Sequence, residues 1–388
     1  MIQTGLMRLT SEPELRKFIV GKRVGLLGHH VSFTGDFVFA ADALRAAGAR
    51  VERLFGPEHG FWGAAQDMIP VDGGPDPVTG LPVVSLYGDH EGSLTPRAEA
   101  FEGLDVVVID LQDIGSRYYT YVATAAKVVL AARDAGVLPI VCDRPNPLGG
   151  AVEGNHVVPA LRSFVGAFDT PQRHGMTLGE LVQMQTGGAA TVIPMTGYHL
   201  GLWWDETGLP WFPPSPNMPT LTTAAVYPGL CLIEGTSLSE GRGTTTPFEV
   251  FGAPGIDPFR LAAGLESEGL VGVRFRPHVF LPTFQKHARQ TCGGVQIVVT
   301  DRMRLQPVRL GLAVLRQCCR LFPDATRWRE VEYEYVTDRR AIDLLLGEPG
   351  LSEALRDGAP LTELTRGFAA AEAAFDELAR PWRLYPRP

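Results

Sequence analysis

The chain predicts an α/β protein built on a doubly wound parallel sheet, and three features of its first 150 residues carry that prediction. Short Val/Ile/Leu runs alternate with stretches of helical periodicity, the pattern of βαβ units. Three of the four runs are apolar at consecutive positions, as in strands covered by helices on both faces, while Val51–Phe55 also holds Glu52 and Arg53. Each run also ends in glycines or prolines beside chemically reactive side chains. In an open parallel sheet the loops at the carboxyl ends of the strands share one edge, and ligands bind there.

In order, Val24–Leu27 runs into Gly28-His29-His30, and Val51–Phe55 into Gly56-Pro57-Glu58-His59-Gly60. Val106–Ile109 runs into Asp110-Leu111-Gln112-Asp113-Ile114-Gly115-Ser116-Arg117, and Pro139–Cys142 into Asp143-Arg144-Pro145-Asn146. Glu58, His59, Asp110, Asp113, Arg117, Asp143 and Asn146 are therefore expected on one rim. After the first strand, Asp36–Ala47 carries Phe37, Phe39, Ala40, Leu44 and Ala47 at helical spacing and closes on Gly48. Leu81–Tyr87 reads as a further strand and Tyr119–Ala135 as a helix ended by Gly136. Thr177 and Glu180 form a capping box that opens the helix Leu178–Gln185.

From Trp203 to Thr220 the composition shifts. Trp203, Trp204, Trp211 and Phe212 alternate with Pro210, Pro213, Pro214, Pro216 and Pro219, which excludes helix and central strand. Those rings could stack on sugars or pack as an interdomain strap. Beyond it come a helix at Pro258–Leu265, strands at Val271–Phe275 and Val295–Thr300, and a helix at Val308–Phe322. Helices near Arg339–Leu346 and Leu361–Leu378 complete the chain. A length of 388 residues predicts two domains. The boundary is placed near residues 225–240, giving domains 1–230 and 235–388.

Composition excludes several classes. The net charge of −8 opposes a nucleic-acid footprint, which needs a basic face, and no Lys/Arg run suits a membrane surface. Five cysteines without CxxC spacing fit neither a disulfide framework nor a zinc ribbon; Cys318 and Cys319 read as small core residues. Reduced thiols, and the lack of an apolar signal stretch in Met1–Thr10, lead to the expectation of a cytoplasmic protein. Gly25-Leu26-Leu27-Gly28-His29-His30 is not GxGxxG, and no GxxxxGK[ST] occurs, so no nucleotide cofactor is expected. No HExxH or other spacing points to a metal, although His29, His30, His59 and Asp110 could meet across strand ends.

The candidate chemistry lies in four places. Glu58-His59, between Gly56-Pro57 and Gly60, suits a carboxyl shielded from water that donates a proton near neutral pH, or a Glu that caps the next helix. Asp110, Asp113 and Arg117, followed by Tyr118, could be an acid/base set, a metal site or a self-satisfied network. Asp143 and Asn146 sit in a proline-stiffened loop that suits ligand positioning or a tight exit from the sheet, and Arg144 is expected to pair with a neighbouring acid. Glu234 to Thr246 is the densest polar segment, with Glu240 and Arg242 among three glycines that let backbone approach an anion.

Several segments are long enough to be specific: Leu54-Phe-Gly-Pro-Glu-His-Gly60, Asp110 through Tyr121, Asp143-Arg-Pro-Asn-Pro-Leu-Gly-Gly150, His174-Gly-Met-Thr177, Pro214-Ser-Pro-Asn-Met-Pro-Thr220 and Ser239-Glu-Gly-Arg-Gly-Thr244. In order and over essentially the whole chain, they resemble the exo-β-N-acetylmuramidase family of peptidoglycan hexosaminidases. The resemblance implies a Rossmann-like N-terminal domain, a smaller C-terminal α+β domain and a cleft between them. It implies release of β-1,4-linked N-acetylmuramic acid from non-reducing ends, with Glu58 as the catalytic acid. Asp110 or Asp113 is the expected second carboxylate, ahead of Glu240. His59, Arg117, Tyr118, Asp143, Asn146, His174, Asn217, Glu240 and Arg242 are expected on the substrate. The partner is then a muropeptide or a disaccharide, with no cofactor and no metal. Two departures flank the acid. Gly28-His29-His30-Val31-Ser32 stands where the family carries an Asn-Pro-Thr-Gly-like turn, and Trp62-Gly63-Ala64-Ala65-Gln66 where it carries Arg and then Ala-Gly-Glu. Family members are often exported; without a signal, recycling of imported muropeptides is the expected role. A metal-dependent hydrolase using the rim His and Asp residues and a non-catalytic sugar-binding module are the competing readings.

Overall fold

The computed structural model describes residues 2–387 except Asp67. Seven strands form the larger sheet: β1 (Arg23–Gly28), β2 (Arg50–Gly56), β3 (Gly74–Pro75), β4 (Pro82–Ser85), β5 (Val106–Asp110), β6 (Leu138–Cys142) and β7 (Thr191–Ile193). Their order is β3-β4-β2-β1-β5-β6-β7, parallel except for the short β3. This is a Rossmann-like sheet. The chain winds outward from β1 through β2 to β4, then returns to the other side of β1 at β5. The crevice at that reversal lies beneath the loops after β1 and β5.

Alternation explains the unbroken apolar runs. Leu27, Val107, Ile109 and Val141 turn to the face covered by helix Tyr121–Asp134, in the main core. Val24, Leu26, Val106, Val108, Ile140 and Cys142 turn to the other face, under helices Gly5–Ser11 and Ala40–Ala46. Both faces are dry, so every position is apolar.

A second, smaller sheet is antiparallel, ordered β8-β10-β9 from β8 (Val250–Ala253), β9 (Val273–Phe280) and β10 (Cys292–Val299). The main core continues from one sheet to the other through helices Leu221–Leu230 and Pro307–Leu321. They cross at glycines: a Cβ on Gly229 would lie 1.7 Å from the Pro307 carbonyl oxygen, and one on Gly311 2.2 Å from the Gly229 oxygen. Only bare backbone permits that approach.

Several boundaries differ from expectation. The helix after β1 begins at Ala40 rather than Asp36, because Phe37 adopts a left-handed φ of 60° that breaks the helical run. The segment expected at Leu361–Leu378 divides into Leu361–Leu364 and Phe368–Ala379, with Gly367 at the second N-cap. β7, β8 and helix Leu221–Leu230 are additional, the last continuing through Pro228. The Trp203–Thr220 segment is a packed strap: Trp203 and Trp204 are buried, Trp204 meets Trp211 edge-on, and Arg173 and Arg302 both stack on Trp203. All five cysteines are free and buried. Among the described residues no helix is long and apolar enough to cross a membrane.

Candidate active site

A pocket of about 530 Å³, its open mouth included, lies where loops of the large sheet meet the C-terminal half of the chain. The loop after β2 supplies Glu58 and His59, and the loop after β5 supplies Tyr118 to Tyr121. The strap gives Ser215, Asn217 and Met218. The remaining wall is Val165, Tyr227, Glu234, Arg242, Phe248, Tyr333 and Glu334. Three glutamates and one arginine in a largely aromatic wall make a low-dielectric, acid-rich cleft.

Glu58 is 7% exposed and accepts a 2.7 Å hydrogen bond on Oε2 from the Thr120 hydroxyl. The residue after it, His59, is left-handed at φ 69° and its Nδ1 lies 2.9 Å from the Ala65 carbonyl, so the loop is held in a strained conformation at the carboxyl. Tyr121 donates to the Pro214 carbonyl at 3.0 Å, tying the β5 loop to the strap. Burial, and then the nearby Glu58 carboxylate, hold the Tyr121 phenol above its ordinary value.

Arg242 is the only Lys or Arg among the described residues lining the pocket. Gly241 and Gly243 on either side are left-handed at φ 82° and 80°, and a Cβ on either would strike backbone, so the segment is a built turn. The guanidinium donates to Glu240 at 2.8 Å and Glu234 at 2.9 Å and lies 4.8 Å from the centre of the Phe248 ring. Glu240 stands behind the pocket. Burial alone would raise its pKa, but Lys286, 3.0 Å away, and Arg242 hold it down at about 2. It is a fixed anion that aims Arg242. Glu234 also accepts from the Tyr333 hydroxyl at 2.7 Å.

Of the residues expected on the site, Glu58, His59, Tyr118, Asn217 and Arg242 line this pocket. The others do not. Asp110 is fully buried in a two-pronged ion pair with Arg144 at 2.6 and 2.7 Å. Asp113 accepts from the Gly115 amide at 2.6 Å and has His174 at 3.4 Å. Arg117 points into the protein, its two terminal nitrogens donating to the carbonyls of Asn155, Thr170, Leu345 and Leu346 at 2.7 to 3.1 Å. Asp143 accepts from Thr177, the Gly179 amide and Tyr385, anchoring helix Leu178–Gln185. Asn146 bridges Met176 and Leu148. The physical reason is shared: a polar group buried behind a sheet edge must find partners within the protein, and these find them in one another (Asp110 with Arg144) or in backbone groups and distant side chains (Arg117, Asp143, Asn146). Glu334, Tyr333 and Phe248 were not expected, for no glycine or motif marks them. Among the described residues, no three His, Cys, Asp or Glu side chains converge as a metal would require.

Comparison with known proteins places this geometry in context. The family "Exo-beta-N-acetylmuramidase NamZ, N-terminal" matches residues 24–222, and its C-terminal counterpart matches residues 225–385. The peptidoglycan beta-N-acetylmuramidase NamZ of Bacillus subtilis (strain 168) is 37% identical over 99% of this chain and 91% of its own length. A crystal structure of a DUF1343 family protein from Bacteroides fragilis superposes with a TM-score of 0.85 at 31% identity, covering 99% of both chains. A second protein of that family from the same organism gives 0.73 at 25% identity over the whole of both chains.

Proposed function

Because the chain belongs to the exo-β-N-acetylmuramidase NamZ family, we propose that it releases N-acetylmuramic acid, β-1,4-linked at the non-reducing end of peptidoglycan fragments, with Glu58 as general acid. The placement of Glu58 carries the assignment of the acid. A carboxyl almost wholly removed from water, oriented by Thr120 and held at a strand end by a left-handed neighbour, faces the one acid-rich pocket described above. Its proton goes to the glycosidic oxygen as the bond to the anomeric carbon breaks, and water supplies the hydroxyl that replaces it. Arg242 supports the preference for the muramic sugar. N-acetylmuramic acid carries a lactyl carboxylate that N-acetylglucosamine lacks, and a guanidinium grips a carboxylate by a planar fork. His59, Tyr118 and Asn217 complete the sugar contacts. The buried free thiols suit a reducing compartment, and a cytoplasmic role in recycling muropeptides is the setting we assign.

The test is incubation of the purified protein with chromogenic β-MurNAc and β-GlcNAc glycosides, with and without chelator. Selective release from the muramic glycoside that survives chelation is expected. Binding of the muramic sugar without release would make the protein a binding module, and loss of release with chelator would make it a metal-dependent hydrolase.

A further inference from the structure

We infer that Glu334 is the second carboxylate of the reaction, the one that must be ionised while Glu58 is protonated. The inference rests on the glycosidase reading above and supplies what Asp110 and Asp113, both turned away from the pocket, do not.

Glu334 lines the same pocket as Glu58 from the opposite end of the chain and is 6% exposed. It sits with Tyr335 at the centre of a two-residue turn. Tyr333 and Val336 exchange both backbone hydrogen bonds at 3.1 and 3.0 Å, and the two central residues are left-handed at φ 48° and 66°. Such turns favour Asn and Gly because both positions need positive φ. Glu and Tyr are sterically costly there, and a costly conformation kept in a buried site indicates a side chain that must point one way. His59, beside Glu58, and Phe248, beneath Arg242, carry the same left-handed strain on the same pocket wall.

Tyr87 is a neighbour that the two carboxylates share. Its hydroxyl donates to Glu334 Oε2 at 3.0 Å. Burial, then the Glu58 carboxylate, then Glu334, hold its phenol above the ordinary range: Glu334 accepts its hydrogen bond directly, and the field of Glu58 reaches the same side chain. Tyr335 packs on the Tyr87 ring at 5.6 Å and donates to the Gly88 carbonyl at 3.0 Å, which fixes the turn against the large sheet. Glu234, the third glutamate of the wall, is committed to Arg242 and Tyr333.

The task of Glu334 is charge. When Glu58 gives its proton to the leaving oxygen, positive charge develops on the anomeric carbon and ring oxygen, and a fixed carboxylate in a water-poor pocket stabilises it. The attacking water then returns one proton, so the pair carries one proton before and after the cycle.

Glu334→Gln keeps the acceptor for Tyr87 and removes the charge. On a β-MurNAc glycoside its kcat is expected to fall by about 10²–10³-fold. Affinity for free N-acetylmuramic acid should hold, and the acidic limb of the kcat–pH profile should vanish. Glu58→Gln should instead remove the basic limb. A Glu334→Gln enzyme within about tenfold of wild type, or one that keeps its acidic limb, overturns the inference while leaving the glycosidase reading intact. A wild-type protein that releases nothing overturns both. If Glu334→Gln does not fold, Glu334→Asp serves: it should retain the acidic limb at reduced kcat, and loss of that limb would count against the role.

Discussion

Two buried arginines separate recognition from architecture, and replacing each should have a different signature. Arg242→Gln removes the only Lys or Arg that lines the pocket among the described residues. The acids it leaves behind keep donors: Glu240 retains Lys286 at 3.0 Å, and Glu234 retains the Tyr333 hydroxyl at 2.7 Å. The fold should therefore survive. A charge-assisted hydrogen bond to the lactyl carboxylate contributes about 1.5–3 kcal/mol, or roughly ten- to over a hundredfold in kcat/KM. That loss should fall on the β-MurNAc glycoside and far less on its β-GlcNAc analogue. Arg117→Ala should do the reverse. It strands three buried carbonyls, of Asn155, Thr170 and Leu345, each costing about 1 kcal/mol or more, while that of Leu346 keeps the Asn155 side-chain amide at 3.0 Å. A total of about 3 kcal/mol or more is a large share of the stability of a typical domain. Thermal unfolding should show it, with the ratio of activities on the two sugars unchanged in the folded fraction. Equal losses on both sugars for Arg242→Gln would refute its role in reading the lactyl group.

Two further predictions concern buried acids outside the pocket. Burial pushes the Glu153 carboxyl up to about 7, against the Arg309 amide and Arg173, which favour its ionised form. A carboxyl whose folded pKa exceeds its unfolded value stabilises the fold fully below about pH 4.5, and that contribution is lost as pH rises through 7. Glu153→Gln should therefore gain stability over wild type at pH 8, by up to about 3 kcal/mol in chemical denaturation, and gain none at pH 4. A difference that does not change with pH would contradict this, and Glu180, also raised to about 7 mainly by burial, should leave part of the slope in place. Asp110→Asn strands Arg144, and breaking a buried pair of this kind costs about 3–5 kcal/mol. The protein should unfold earlier yet retain its kcat while folded; a loss of kcat comparable to that of Glu58→Gln would return Asp110 to the mechanism.

What the sequence disclosed and what it hid have physical reasons. Strands β1, β5 and β6 are legible because a parallel strand covered on both faces needs apolar residues at nearly every position; β2, with Glu52 and Arg53 at its start, is legible from Val51, Leu54 and Phe55. The chemistry follows from the same topology, since Glu58 and Tyr118 lie in loops that leave the carboxyl edge. The direction of each side chain is not legible. Asp110 and Arg144 are 34 residues apart, and nothing local shows that one satisfies the other. Arg117 sits beside pocket-lining Tyr118 yet turns inward to carbonyls that belong to distant segments. Glu334 is the extreme case. A turn of Tyr333-Glu334-Tyr335-Val336 without Gly or Asn reads as no turn at all, because the positive φ that such residues normally mark is here imposed by packing against Tyr87. Arg242 was legible because its turn does use glycines.

The central claim, that Glu58 is the acid of an exo-muramidase, is tested most directly by how its removal depends on the leaving group. From a disaccharide the second sugar leaves as a poor alkoxide that needs protonation, whereas from a dinitrophenyl glycoside of the same muramic sugar dinitrophenolate leaves without it. For Glu58→Gln, kcat on the disaccharide should fall by roughly 10²–10⁴-fold, the usual worth of acid catalysis, while release of dinitrophenol falls far less. Equal losses on the two substrates, or activity on the disaccharide within tenfold of wild type, would show that Glu58 does not deliver the proton.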